Sequence, residues 1–244
     1  MSFYGIIPAA GAGRRMRMSE KKAFLMIDGE SVVHRSCRLF YEHEGISAFL
    51  VMAPPDELDL MREEVQDFKQ KILAVLPGGK TRTESVLRGL AWLSERIGPD
   101  ESRKAQVLVH DAARCLCSEE LISALIRQLE REFCASAPAL PCRDAARLLD
   151  EDGSHSEALP KQRLRLIQTP QGAPLQLLLD GLTASQKEGR SAADELEALG
   201  PTGCPIRLIP GEEGNIKLTY PEDLWIARAI LERKKGASPE PFIS

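Results

Sequence analysis

The stretch GIIPAAGAGRRMRMSEKKAF, residues 5–24, begins as an apolar run and ends in small residues followed by cations. Glycines let backbone N–H groups close on an oxyanion, and arginine adds bidentate charge. The stretch therefore predicts a phosphate-binding loop at the end of a buried strand. Glu20 is the one acid among the five basic residues of this stretch, which are Arg14, Arg15, Arg17, Lys21 and Lys22.

Apolar runs and helical patterns alternate along most of the chain. The helical patterns lie at residues 31–43, 57–68, 83–97, 118–133 and 221–234. The apolar runs lack a polar alternation, as strands buried on both faces do. The alternation predicts an α/β fold, Rossmann-like and doubly wound, with a mainly parallel sheet. The runs are FYGIIPA (3–9), ISAFLVMA (46–53), KILAVLP (71–77), AQVLVHDA (105–112), FCASAPAL (133–140) and PIRLIP (205–210).

The polar segment at about 142–165 interrupts this alternation. It holds the turn signal Asp152-Gly153-Ser154 between two short apolar patches, which predicts a projecting β-arm; a mobile loop is the alternative. Residues 1–236 are predicted to form a single domain, and 237–244 a loose C-terminal tail. We expect no second catalytic domain.

Composition and charge exclude several classes of protein. A net charge of −4 and a pI near 5.7 argue against a nucleic-acid binder or an anionic-membrane binder, because both need surplus Lys and Arg. Nothing approaches the ~20 apolar residues needed to cross a bilayer. The early arginines follow the first apolar run, unlike those of a signal peptide. The six cysteines have no framework spacing. We expect a cytoplasmic protein with no nucleic-acid or membrane partner.

The glycine loop does not fit two common nucleotide-binding motifs. A dinucleotide fingerprint needs a small residue where Met16 stands, and an acid about twenty residues further on. A P-loop needs Gly-Lys-Ser/Thr after four spacer residues, and this loop has none. Oxidoreductases and P-loop NTPases are therefore disfavoured.

The loop resembles the PAAGxGxRM motif of the sugar nucleotidyltransferase superfamily, followed by Lys22 in a K-x-F/Y-L setting. Within that superfamily the chain is similar to the 2-C-methyl-D-erythritol 4-phosphate cytidylyltransferases, from residue 5 to about 230. The further motifs appear in the family's order, as GGKTRTESV (78–86), HDAAR (110–114), TPQ (169–171), Asp194-Glu195 and NIKLTYPEDL (215–224).

This resemblance implies a nucleotidyltransferase domain that transfers CMP from CTP to 2-C-methyl-D-erythritol 4-phosphate. The products would be CDP-methylerythritol and pyrophosphate, in the non-mevalonate route to isoprenoid precursors. The resemblance also implies a homodimer joined through the arm. A ribitol 5-phosphate or other polyol-phosphate cytidylyltransferase is an alternative, and a catalytically inactive nucleotide-binding regulator is another.

The resemblance also implies the site residues. The catalytic residues would be Arg15, Lys22, Asp111 and Lys217, with Asp111 also helping to place Mg²⁺. The nucleotide-binding set would be Pro8, Ala9, Ala10, Gly11, Ala12, Gly13, Gly78, Gly79, Ser85 and Ala112. The residues expected to bind the sugar-alcohol phosphate are Arg114, Lys161, Thr169 and Asp194.

The alcohol-phosphate pocket matches the family less closely than the nucleotide pocket. Ala145 and Ala193 stand where the family has threonine, and Lys161 stands where it has arginine. Each lost hydroxyl removes a hydrogen bond worth about 0.5 to 1.5 kcal/mol. Lysine does not reproduce the planar fork of arginine on a phosphate. The sequence therefore specifies the reaction more firmly than the alcohol.

Overall fold

A large mixed sheet organises the chain in the computed structural model, which describes residues 1–11, 13–16, 21–190 and 192–236. The predictions for Ala12 and for the tail at 237–244 concern positions outside these ranges. In chain order the strands are β1 (Phe3–Pro8), β2 (Met26–Ile27), β3 (Glu30–Ser31), β4 (Ala48–Ala53), β5 (Ile72–Pro77), β6 (Gln106–Val109), β7 (Ala135–Pro141), β8 (Ala146–Leu149), β9 (Ser156–Leu159), β10 (Arg165–Ile167), β11 (Gln171–Pro174) and β12 (Ile206–Pro210).

The helices fall mainly between these strands. Within the described residues, no helix combines the length and the apolar character needed to cross a bilayer. The α-helices are α1 (Val32–Glu42), α2 (Leu58–Glu64), α3 (Arg82–Ile97), α4 (Pro99–Ser102), α5 (Glu119–Arg131), α6 (Leu175–Lys187), α7 (Glu195–Leu199) and α8 (Glu222–Lys234). Short 3₁₀ turns lie at Arg14–Met16, Lys22–Phe24, Gln66–Phe68, Ala112–Arg114, Lys161–Arg163 and Gly200–Thr202.

The sheet order among the described strands is β10-β7-β11-β6-β1-β4-β5, with β12 also paired to β7. Strand β1 lies between β4 and β6 and runs parallel to both, and β12 runs parallel to β7. Strands β10 and β11 are antiparallel to their neighbours. Each of the six apolar runs contains a strand, so the prediction of a mainly parallel α/β sheet is confirmed.

Strand β11 and helix α6 are two of the elements that were missed in the sequence. Strand β11 reads Gln-Gly-Ala-Pro, which carries none of the β-branched or aromatic residues that mark a strand. Its pairing with β6, from Gln171 opposite Val109 to Pro174 opposite Gln106, places it in the sheet. Helix α6 holds three consecutive leucines, Leu177 to Leu179, and this run obscures the helical spacing.

Helices cover both faces of the sheet, and alternate residues of each strand point to opposite faces. On one face Ile7, Phe49 and Val51 pack with residues of α1, α2 and α5. On the other, Ile6, Leu50 and Met52 pack with residues of α3, α6 and α7. A third cluster joins Met16 to residues near the C-terminal end, including Leu218 and Leu224. This third cluster brings the two ends of the chain together at the glycine loop.

The arm is an antiparallel hairpin of β8 and β9, with Arg147 opposite Ala158. Gly153 lies in the connecting turn, as the sequence predicted. Leu148 and Leu149 are 59% and 60% exposed, so the hairpin has no core of its own. The 3₁₀ turn at Lys161–Arg163 and strand β10 return the chain to the sheet. The prediction of a projecting β-arm is confirmed.

Candidate active site

A cavity of about 360 Å³ opens at the carboxyl ends of β1 and β6. Ligands bind beyond this end of the strands in doubly wound sheets. The structure brings most of the predicted nucleotide-binding and catalytic residues to its wall. These are Pro8, Ala9, Ala10, Gly11, Gly13, Arg15, Lys22, Gly79, Ser85, Asp111, Ala112 and Lys217.

Arg15, Lys22 and Lys217, from opposite ends of the sequence, are among the basic residues that line this cavity. The Lys22 ammonium donates to the Leu218 carbonyl oxygen at 3.2 Å, which ties the first 3₁₀ turns to the segment before α8. Burial lowers the pKa of Lys22, and the charges of Lys217 and Arg15 lower it further. A bound polyanion would relieve this repulsion, so the cavity is suited to phosphate. The Arg15 guanidinium lies 6.0 Å from the centre of the Tyr220 ring.

Asp111 lies between two cations at the end of β6. Its Oδ1 accepts from Arg82 Nε at 2.5 Å, and its Oδ2 lies 2.6 Å from Lys217 Nζ. Burial alone would raise the pKa of Asp111, but Arg82 and Lys217 outweigh burial and hold that pKa well below its ordinary value. Asp111 is therefore a carboxylate at neutral pH.

Arg82 is a cavity residue to which the sequence assigned no role, although it stands inside the GGKTRTESV motif. Its guanidinium bridges Asp111 and Glu195, with NH1 and NH2 donating to the two Glu195 oxygens at 2.6 and 3.0 Å. Burial opposes the positive charge, but both carboxylates outweigh it and raise the pKa of Arg82. The position of Arg82 inside the GGKTRTESV motif was the signal in the sequence that could have pointed to it. That position does not indicate which residues Arg82 pairs with.

Gly78 and Gly79 bring a second loop against the glycine loop. A Cβ on Gly78 would lie 2.3 Å from Ala10 Cβ, so a larger residue would force the two loops apart. The Gly79 N–H donates to Ser85 Oγ at 2.9 Å, and Ser85 Oγ donates to the Thr81 carbonyl oxygen at 2.9 Å. Ser85 thus orders the loop, and Gly78 lies directly behind the cavity wall.

The four residues predicted to bind the alcohol phosphate do not line the cavity. Arg114 donates to the carbonyl oxygens of Asn215 and Ile167, at 2.7 and 3.3 Å. Thr169 Oγ1 accepts from the Asp111 backbone N–H at 3.1 Å, behind the cavity wall. Their roles with substrate stay predictions.

The other two of these residues lie further away. Asp194 Oδ1 accepts from the Glu197 N–H at 2.9 Å and caps α7. Lys161 is exposed on the arm, where its ammonium donates to the Arg143 carbonyl oxygen at 3.3 Å. Neighbouring backbone positions at an extended N-cap point in different directions, so Glu195 rather than Asp194 faces the buried network.

His110 precedes Asp111 and is fully buried, with its Nδ1 lying 3.2 Å from Thr169 Oγ1. Burial lowers its pKa to about 4. It is a packed, neutral histidine that does not line the cavity.

Among the described residues that line this cavity, Asp111 is the carboxylate available to a divalent cation. In the part of the chain that the structure describes, no group of three or more His, Cys, Asp and Glu could hold a metal ion. Mg²⁺ is commonly bound by one or two carboxylates together with substrate phosphates. Asp111 therefore fits a Mg²⁺ that arrives with a nucleotide.

Cations from both ends of the chain converge on a cavity at the mouth of a parallel sheet, beside two glycine-containing loops. Such a site is suited to a nucleoside triphosphate, whose charge the cations would neutralise during transfer. This fold and site define the chain as a nucleotidyltransferase.

Comparisons with known proteins give the particular family. A sequence profile described as 2-C-methyl-D-erythritol 4-phosphate cytidylyltransferase matches residues 3–233. The enzyme of that name from Saccharopolyspora erythraea is 33% identical over 231 residues, covering 95% of this chain and 100% of that protein. The chain therefore belongs to the 2-C-methyl-D-erythritol 4-phosphate cytidylyltransferase family.

Solved structures agree with this assignment. The cytidylyltransferase from Thermus thermophilus superposes with a TM-score of 0.73 at 30% identity, covering 96% of this chain and 100% of that one. The 4-diphosphocytidyl-2C-methyl-D-erythritol synthase from Anaerococcus prevotii gives a TM-score of 0.79 at 25% identity, covering 95% and 96%. The architecture of this chain is thus that of the family.

Proposed function

We propose that this protein transfers CMP from CTP to 2-C-methyl-D-erythritol 4-phosphate, a step in the non-mevalonate route to isoprenoid precursors. The observation that carries the proposal is the convergence of Arg15, Lys22 and Lys217 on one cavity. The family membership of the chain supports the identity of the alcohol. Residues 1–236 would act as one nucleotidyltransferase domain.

In the proposed reaction, a phosphate oxygen of the alcohol phosphate forms a bond to the α-phosphorus of CTP. The bond from that phosphorus to the bridging oxygen breaks, and pyrophosphate leaves with the electron pair. The attacking oxygen is already anionic near neutral pH, so no protein nucleophile is needed. Arg15, Lys22 and Lys217 would align the two phosphates and stabilise the developing charge. Backbone groups of the glycine loop would hold the triphosphate from the other side.

Asp111 would hold Mg²⁺ together with the phosphates of CTP. When bound, the ion neutralises triphosphate charge and makes pyrophosphate a better leaving group. Asp111 Oδ2 pairs with Lys217 in this structure, and Lys217 would leave this oxygen to contact the transferred phosphate.

We also propose a homodimer joined through the arm, working in the cytoplasm. Leu148, Leu149 and Leu166 are each more than half exposed, and a partner subunit would bury them. Lys161 lies outside the cavity of its own chain, so its predicted role with substrate also favours a second subunit. The free thiols of all six cysteines are typical of a reducing compartment.

The arm proposal has a direct test in sedimentation velocity of Leu149→Asp. A charge on the exposed hairpin is expected to shift the protein from dimer to monomer while the circular dichroism spectrum stays unchanged. Leu60→Asp, on α2 and 47% exposed, is the matched control. A dimer that withstands Leu149→Asp as well as Leu60→Asp would rule out the arm as the interface.

A coupled pyrophosphate assay tests the activity. CTP with 2-C-methyl-D-erythritol 4-phosphate is expected to give rapid release, and ATP, UTP and GTP little. Ribitol 5-phosphate and glycerol phosphate test the alternative alcohols. These alternatives stay open because Ala145, Lys161 and Ala193 depart from the residues of the family. CTP binding without pyrophosphate release from any of these alcohols would instead indicate a nucleotide-binding regulator.

A further inference from the structure

The network behind the cavity contains a carboxylate that the proposed reaction does not use. We propose that Glu195 is a positioning residue: it holds the Arg82 guanidinium so that Arg82 fixes the Asp111 carboxylate while Lys217 moves to the phosphate. This inference rests on the proposed function for the role of Lys217. It assigns a task to Arg82 and Glu195 together.

Arg82 is shared between two acids in an arrangement that only its planar fork allows. Its Nε donates to Asp111 Oδ1 at 2.5 Å, and its two terminal nitrogens donate to Glu195. Lysine would present one ammonium and would not span both carboxylates in fixed directions. The direction in which Nε points is therefore set by the bidentate pair with Glu195.

Glu195 is held firmly and lies apart from the cavity. The residue is 2% exposed and is not part of the cavity wall. Its backbone N–H donates to Gln171 Oε1 at 3.1 Å, which fixes the first turn of α7 on strand β11. Thr83 Oγ1 donates to the Ala192 carbonyl oxygen at 3.1 Å, a second link between α3 and this segment. Among the described residues, the Glu195 side chain pairs with Arg82, so its proposed effect on the cavity passes through Arg82.

The need for such a pair follows from the position of Lys217. Its ammonium lies 2.6 Å from Asp111 Oδ2, and it must leave this oxygen to reach a phosphate. At that moment Arg82 still holds Asp111 through the other carboxylate oxygen, Oδ1. If Arg82 were free to turn, it would itself follow the incoming phosphates into the cavity that it lines. The bidentate pair with Glu195 prevents this turn.

Steady-state kinetics of Glu195→Gln test the proposal. The neutral amide keeps the shape of the side chain but loses the charge that pairs with Arg82. We therefore expect kcat to fall about 10- to 100-fold, as it does for residues that orient a residue in direct contact with a metal or substrate. The KM for CTP is expected to change less than about 3-fold, because Glu195 does not touch the nucleotide. Arg82→Lys is expected to lower kcat at least as much.

Glu197→Gln is the matched control, with the same chemical change in the same short helix. Glu197 Oε2 accepts from the Ala193 N–H at 2.6 Å and has no contact with Arg82 among the hydrogen bonds of the described residues. It is expected to loosen the start of α7 and to leave kcat within about 2-fold of the wild type. Equal losses in kcat for both variants would reduce Glu195 to a structural role and overturn the proposal.

A thermal-unfolding cycle tests the shared arginine without any turnover. When one acid is removed, Arg82 keeps the other acid as a partner. When both are removed, the partly buried guanidinium loses both of its carboxylate partners. The double variant Asp111→Asn, Glu195→Gln is therefore expected to lose more in Tm than the sum of the single losses. Asp111→Asn with Glu197→Gln is expected to be additive, and additivity in both cycles would overturn the proposal.

The two tests separate this inference from the proposed function. A wild-type protein that releases no pyrophosphate from CTP and any of the alcohols contradicts the proposed function, and the unfolding cycle still reports on Arg82. If the wild type is active and Glu195→Gln has the same kcat, the role proposed for Glu195 is contradicted and the proposed function is not.

Discussion

The cavity and the arm differ in how their charged residues are held. At the cavity, Asp111 pairs with Arg82 and Lys217, which lie 29 and 106 positions away in the sequence. On the arm, Arg147 donates to Ser156 Oγ across one hairpin, nine positions away. Long-range pairs in a buried network fix the geometry of the cavity before substrate arrives. The local hairpin leaves its leucines exposed, and burying them would require a partner. Contacts within the chain therefore order the cavity, whereas the exposed leucines of the arm are open to the partner subunit proposed above.

The core under the cavity should show the largest effect. Phe49→Ala is expected to lower the free energy of unfolding by about 3 to 5 kcal/mol, because this ring is fully buried and packs on Phe40 with ring centres 6.0 Å apart. Leu148→Ala on the arm is expected to change it by less than about 0.5 kcal/mol. Urea unfolding, at a concentration that keeps the chain monomeric, measures both. Similar losses in the free energy of unfolding for the two variants would contradict the proposed difference between the core and the arm.

Lys22→Ala should come next. Removing a cation that stabilises the transferring phosphate is expected to lower kcat about 10²- to 10³-fold with the fold retained by circular dichroism. The neighbouring Lys21 pairs instead with Asp56 at 2.7 Å and Glu57 at 3.1 Å. Lys21→Ala is therefore expected to lose less than about 10-fold. Near-normal turnover of Lys22→Ala would contradict the assignment of this lysine.

The pH dependence of stability should separate two histidines. Burial lowers the pKa of His110 from 6.5 to about 4, so the unfolded chain takes up the proton first as pH falls. Neutral His110 contributes to the free energy of unfolding above about pH 6.5, and this contribution is lost as the pH falls through 6.5 towards 4. Between pH 7 and 5 the free energy of unfolding is expected to fall by about 2 kcal/mol more in the wild type than in His110→Gln.

His155→Gln is the control for this measurement, since this histidine is exposed on the arm. Its urea-unfolding data at pH 7 and pH 5 should follow the wild type. If the free energy of unfolding changed between pH 7 and pH 5 by the same amount in the wild type and in His110→Gln, His110 would be protonated in the folded protein.

Lys161→Ala should have the smallest effect of the four. The KM for the alcohol phosphate is expected to rise roughly 10-fold, within the range for a hydrogen bond to a charged group. The KM for CTP and the urea midpoint should stay the same, because the Lys161 side chain is exposed on the arm. An equal rise in both KM values would place Lys161 with the nucleotide and remove this distinction between arm and cavity.

Local signals account for the parts of the site and fold that were predicted. The six strands could be predicted because each is a contiguous apolar run, and the glycine loop because its cations follow directly in sequence. Arg82 and Glu195 could not be paired from the sequence, because 113 positions separate them. Asp194 was predicted to bind the alcohol phosphate, and that role stays a prediction. In this structure Asp194 caps α7 while its neighbour Glu195 pairs with Arg82, a difference set by backbone direction at one residue.

The sequence alone determined the alternation of strands and helices, the glycine loops and the kinds of charge placed beside them, since these depend on neighbouring residues. Only the tertiary structure decided which charges meet. The packing of Met16 with Leu218 and Leu224 brings the two ends of the chain together, and it places Lys22 and Lys217 in one cavity. Burial then makes each charge depend on its partner, because an unpaired ion in that interior would be too costly to keep.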